Sequence, residues 1–244
     1  MRWFLLVLLA ACRFDPQAAT LSTDASSDAN EADDAGEDDP PANAIAADPY
    51  TDGRSEGEAS SLTFEHTVGS GPDRLLLVGV STSFGNSIVT SIVFDGMPLV
   101  RVGQRKAPSQ DARVEIWSLL APSVGTATVA ITVDDNSSTI VAGVGSFSHV
   151  DQITPLGAFV SAGSMTGDPT VTAASGTGAL AVGIVAWSGG ATLMDDATQQ
   201  SSWNQRSGSI IGAGATSTES SPTFRWIAGA NESWAAAAVA VLPK

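Results

Sequence analysis

The chain is 244 residues long and carries a formal net charge of −15, with 26 acidic residues against 11 basic ones. That balance excludes nucleic acid as a partner, because phosphate backbones are bound through basic patches. A single cysteine, Cys12, excludes an intramolecular disulfide. The folded part must therefore be held by its own core, which a chain of this length can build.

The first residues are Met1-Arg2 and an apolar run from Trp3 to Leu9. An apolar core of roughly 9 residues spans about 14 Å as a helix, half of a hydrocarbon slab. It is too short to anchor in a membrane by itself and fits the hydrophobic region of a signal peptide, with Arg2 as its charged start. The next four positions, Leu9-Ala10-Ala11-Cys12, resemble the lipobox of bacterial lipoproteins: leucine, two small residues, cysteine. The resemblance implies a signal peptide over residues 1–11 and lipidation of Cys12, which becomes the mature N-terminus. It also implies a protein of the bacterial cell envelope, anchored in the outer or cytoplasmic membrane and facing periplasm or surface. Two or more acyl chains hold such a protein stably.

Residues 12–60 read as a lipid-anchored acidic linker. Thirteen of the 26 acids and two of the 11 bases, Arg13 and Arg54, fall between Arg13 and Ser60. From Thr20 to Ala59 there is almost no Leu, Ile, Val or aromatic residue, so too little apolar surface is available to offset the entropy of ordering. The expectation is a disordered tether. About 45 flexible residues reach roughly 40 Å. The runs from Glu31 to Asp34 and from Glu37 to Asp39 lack the glycine-turned loop of a Ca²⁺ cage and read as solvated spacer.

From Ser61 the pattern changes to period two. Leu62, Phe64, His66 and Val68 share one face of a strand. Leu75 to Val80 is apolar on both faces and predicts a central strand. Asp95-Gly96 predicts a hairpin after the strand Ile88 to Phe94, with Leu99 to Val102 returning. Val114 to Leu120, Thr126 to Val133 and Ile140 to Val150 follow as strands. Further strands are predicted from Pro169, Ala179, Gln200, Ser207 and Thr223. The alanine-rich end, Trp234 to Leu242, is helical by propensity, but it closes in β-branched residues and has no charged face. It reads as a central strand buried on both sides. About 11 short strands with regular turn signals predict an all-β fold, an antiparallel β-sandwich or jelly roll over residues 61–244. Three segments of this block, Asp73 to Val80, Ile116 to Thr126 and His149 to Pro155, resemble an uncharacterised secreted β-sandwich module of bacterial surface proteins. That resemblance attaches no active residues.

Chemistry-bearing groups are sparse. His66 and His149 are the only histidines, far apart and without a cysteine between them. Neither a metal site nor a catalytic triad is legible around them, and no metal or other cofactor is expected. Glu65 and Glu115 are the strand-borne glutamates that a glycosidase would need; both read as exposed surface charges. Asp134-Asp135-Asn136 is a turn that also offers Ca²⁺ ligands at a sandwich rim. Trp203 stands in the polar stretch Gln199 to Arg206. Its ring reads as an exposed platform for a sugar, with Asn204, Gln205 and Arg206 bonding hydroxyls. Three functions follow. The first is a tethered, non-enzymatic binding or adhesion module with a glycan as candidate ligand. The second is a structural or assembly module whose partner is another envelope protein. The third is a jelly-roll glycoside hydrolase.

Overall fold

A computed structural model describes residues 44–84 and 87–244. Among them the chain forms eighteen β-strands and no helix. The first ten are β1 (Ala46–Ala47), β2 (Thr51–Arg54), β3 (Ser61–Val68), β4 (Leu75–Ser83), β5 (Val89–Phe94), β6 (Met97–Pro98), β7 (Val100–Lys106), β8 (Ala112–Leu120), β9 (Gly125–Val133) and β10 (Ile140–Ser148). The other eight are β11 (Val160–Ser164), β12 (Thr170–Thr172), β13 (Leu180–Ser188), β14 (Leu193–Asp195), β15 (Gln200–Ser207), β16 (Ile210–Ser217), β17 (Thr223–Ala228) and β18 (Ser233–Val241).

These strands build four antiparallel sheets. One central sheet runs β10-β4-β8-β7, with β1 and β2 both on the free side of β10. It is covered outside by β3-β9-β5-β6. The other central sheet runs β11-β18-β13-β16-β15 and is covered by β12-β17-β14. Three cores result. Leu76, Val78, Phe94 and Ile131 fill the first pair of sheets. Leu77, Ile116, Ile184 and Ala237 join the two central sheets. Trp187, Phe224 and Trp226 fill the second pair. The central strands β4 and β18 are buried on both faces, as continuous apolar runs demand. Asp95 and Gly96 hold the left-handed backbone of a two-residue hairpin between β5 and β6.

The two sheet pairs share one topology, except that β6 has no counterpart in the second and the strap is two strands in the first and one in the second. In each, the chain crosses repeatedly between inner and outer sheet, the wrapping of a jelly roll, and adds one inner hairpin at the sheet edge, β7-β8 or β15-β16. The registers agree strand by strand. Leu76 pairs with Ser146 as Ala181 pairs with Ala240, and Ser83 pairs with Ala112 as Ser188 pairs with Ile210. Both edge strands carry a bulge at the same place, Arg101/Gly103 in β7 and Ser201/Trp203 in β15. Residues 44–150 and 154–243 are thus two tandem repeats joined through their inner sheets. The amino-acid sequence hides this, because the registers are kept while the residues differ.

The repeat also corrects the start of the folded part. The expected disordered linker over residues 12–60 ends earlier, because within residues 44–60 β1 and β2 strap the edge of β10. The second repeat has the same strap, β11 on β18, preceded by a bridge from Leu156 to Val241 that matches the pairing of Ala47 with Phe147. Ile45 and Tyr50 pack on the core between the inner sheets, which provides the apolar burial that composition alone did not reveal. Cys12, the expected signal segment and the rest of the acidic linker lie outside the described residues.

Candidate functional site

The first strap brings polar groups into the sandwich. Period two places His66 on the inner face of β3 between Leu62 and Val68, and its side chain is 1% exposed. Its Nε2 lies 3.0 Å from Ser146 Oγ on β10, and its Nδ1 lies 2.8 Å from Thr51 Oγ1 on β2. Ser146 Oγ donates to Asp48 Oδ2 at 2.5 Å, and the Gly69 amide donates to the same oxygen at 2.8 Å. Gly69 leaves room for the Asp48 carboxylate, which a Cβ there would displace. An open cleft of about 340 Å³ adjoins this network, lined by Asp48, Pro49, Thr51, Thr67 and Gly69.

Donors and acceptors fix the proton positions. A carboxylate only accepts, so the Ser146 hydroxyl gives its hydrogen to Asp48. Its oxygen then accepts from His66 Nε2–H. Nδ1 is left bare and accepts from the Thr51 hydroxyl. Burial pushes the His66 pKa below its ordinary value, with the charge of Asp48 opposing in part. The order of groups is Asp–Ser–His, with serine in the middle and fully buried. The Ser146 hydroxyl donates to Asp48 and accepts from the imidazole, so the ring is not placed to take its proton, and the arrangement is not that of a histidine-activated nucleophile.

The second repeat supplies a comparison within one molecule. The Gly157 amide donates to Ala240 O at 2.8 Å just as the Asp48 amide donates to Ser146 O at 2.9 Å. Val160 opposes Ala238 as Thr51 opposes Val144. Asp48, Thr51 and Ser146 therefore correspond to Gly157, Val160 and Ala240. β12, the counterpart of β3, is Thr170-Val171-Thr172 and holds no titratable group. The same backbone forms without the polar network, so the network is not what the fold requires.

The residues singled out from the sequence have other roles. Trp203 is 7% exposed and belongs to the core between the inner sheets. Its indole fills space left by Gly143 and Gly214, where any Cβ would overlap the ring. The platform reading is corrected on that ground: distant glycines, invisible in the local polar pattern, receive the ring. Asn204 Nδ2 donates to Leu193 O at 3.0 Å, and Arg206 donates to Gly189 O and Ala191 O. Gln205 bonds Asp52. These side chains tie β15 to the neighbouring loop and to the strap.

Glu115 is also corrected. It is 1% exposed, because the outer sheet covers the face that alternation assigned to solvent. Oε1 accepts from Arg113 Nε at 2.7 Å and from the Val89 amide, and Oε2 accepts from Trp117 Nε1 at 3.1 Å. Arg101 approaches the same carboxylate at 3.7 Å and lies over the Trp117 ring. The carboxylate is committed to this ion-pair cluster, whereas Glu65 is exposed. His149 stands at a left-handed turn, 3.4 Å from Ser148 Oγ. Asp134 and Asp135 accept from the Ile88 amide, the Ser87 hydroxyl and Ser137, the bonding of a turn. Hydrogen bonding to Ser87 holds the Asp135 pKa below the usual carboxylate range. Among the described residues no group of three His, Cys, Asp or Glu is placed to hold a metal ion. Searches against protein-family models, curated proteins and solved structures return no match to this chain.

Proposed function

We propose that this chain is a tethered, non-enzymatic binding module of the bacterial cell envelope, held to the membrane through lipidated Cys12, with its ligand site at the cleft beside the first strap. One observation carries the reading. Two repeats share a backbone, and only one of them keeps Asp48, Thr51, His66 and Ser146 together beside an open cleft. A buried polar network costs desolvation that an apolar filling avoids, and the second repeat has the apolar filling. The cleft offers a carboxylate, two threonine hydroxyls and a proline ring. That set suits a hydroxyl-rich ligand such as a glycan. The test is a glycan array probed with the purified protein, followed by Asp48→Asn and Thr67→Val. Binding that both variants lose, with melting unchanged, supports the cleft; binding that both retain removes it.

The assembly reading has one observation in its favour. Met194 and Ile227 pair across β14 and β17 and are 56% and 38% exposed. Arg225, bonded to Asp168 and near Asp196, flanks them and keeps this apolar patch small. Retention of an envelope protein by wild type but not by Met194→Lys is the outcome that favours assembly.

A further inference from the structure

We propose that His66 is a proton-operated latch on the first strap: the neutral ring closes the chain Asp48–Ser146–His66–Thr51, and a second ring proton opens it. Neutral imidazole has one donor and one acceptor, and this network uses both. A proton added at Nδ1 turns the acceptor into a donor. The Thr51 hydroxyl can turn to accept that hydrogen, but the ring now carries a positive charge inside the sandwich, where it is 1% exposed, and loosening the strap is what gives that charge access to water.

The charge has little to compensate it. β5 presents Phe94, edge-on with ring centroids 6.4 Å apart. β9 presents Ala127, opposite His66. β10 presents the Ser146 hydroxyl, and the strap presents Thr51 and Asp48. Glu65, the neighbour on β3, is on the exposed face. Asp48 is the one charged group facing the ring among the described residues, and it acts through Ser146. Burial keeps the ring neutral at neutral pH, so acidification is the direction that opens the latch.

The strap is the element suited to respond. In the sheet β1 and β2 pair with β10 alone, and side-chain bonds to Gln205, Arg206 and Ser207 on β15 fasten the far end at Asp52, Arg54 and Ser55; a short edge segment opens at lower cost than a central strand. Asp48, Pro49 and Thr51 line the cleft, so opening the strap dismantles it. Ligand release on acidification rests on the cleft being the binding site; the latch itself does not.

The second strap is the internal reference, since Gly157, Val160 and Ala240 replace the polar groups. The experiment is amide hydrogen exchange of the purified full chain at pH 7.5 and 5.0, normalised to intrinsic rates. Strap one, residues 45–54, is expected to lose protection about tenfold or more at pH 5.0, the effect of about one pH unit of one-proton linkage. Strap two, residues 156–164, is expected to change little. His66→Gln offers one donor and one acceptor without titrating, and is expected to keep strap one closed at both pH values. Equal changes in the two straps, or opening of strap one at pH 5.0 in His66→Gln as in wild type, overturn the latch. Should His66→Gln leave the strap open at both pH values, the comparison of the two wild-type straps still decides. A strap that opens in a protein that binds nothing at the cleft refutes the cleft and leaves the latch standing.

Discussion

Trp203→Ala separates core from platform. A tryptophan buries roughly 200 Å², and at about 25 cal/mol per Å² that is about 5 kcal/mol. Residual compaction of the unfolded chain lowers this by about a tenth to four tenths. The expected loss is therefore about 3–5 kcal/mol, the range of buried tryptophan truncations. For a domain of this size that is a fall in Tm on the order of 10 °C. The structure adds a second expectation, in the sign of a coupling. The indole occupies the space over Gly143 on β10 of the other repeat. Gly143→Ala should cost about 1–3 kcal/mol in wild type through overpacking. In the Trp203→Ala background the new methyl group meets a cavity, so it should cost much less. Urea titrations of the two single variants and the double variant measure the coupling. A Trp203→Ala loss under about 1 kcal/mol, or strict additivity with Gly143→Ala, would refute the packing described for this ring.

Four further outcomes follow. Glu115→Ala leaves Arg113 buried beside an empty carboxylate position and should cost about 3–5 kcal/mol in a urea melt, whereas Glu65→Ala should change little. A chain starting at Ala59 lacks both strap strands, Tyr50 and Thr51; it should melt well below one starting at Ala44, because the β10 edge and His66 Nδ1 lose their partners. The folded pKa of His66 is depressed, so its contribution is complete above the ordinary histidine value of about 6.5 and is lost as pH falls through the folded value, at most about 1.4 kcal/mol per pH unit. His66→Gln should flatten this slope, while Asp135 and Asp168, both held below the usual range by hydrogen bonds, contribute a separate loss below about pH 4. Cys12→Ser should move the protein out of the membrane fraction or block its processing; a processed variant that stays membrane-bound contradicts the lipid anchor.

Much of the fold was legible because it rests on local alternation. The run Leu75 to Val80 and the alanine-rich strand to Val241 carry their own signals and occur as read, and so does the Asp95-Gly96 turn, although it returns only over Met97–Pro98 while Val100 to Lys106 crosses to the inner sheet. The duplication was not legible, because register is a property of backbone pairing. Glu115 and Trp117 correspond to Ala213 and Ala215, and no residue-by-residue comparison suggests that these strands are equivalent. The strap was missed because a sheet edge takes short, polar strands whose order comes from β10. Of the candidate site, His66 was correctly placed on an inner face. Its partners Thr51, Asp48 and Ser146 lie on other elements and meet it only through the jelly-roll wrapping. Trp203 misled for the same reason: the glycines that receive it are far away in the chain or on the partner strand.

The central claim is that the first repeat keeps a polar site its fold does not need. Emptying the network, with Asp48→Gly, Thr51→Val and Ser146→Ala taken from the second repeat and the apolar His66→Val added, tests it in one preparation. Thermal melting and glycan binding of this variant are measured beside wild type. The account expects a cooperative melt within about 2 kcal/mol of wild-type stability, since the four side chains are removed together and the Gly69 amide, the one donor left without its acceptor, lies at the open cleft, and it expects binding to be lost. A variant that no longer folds, or one that folds and still binds, contradicts it.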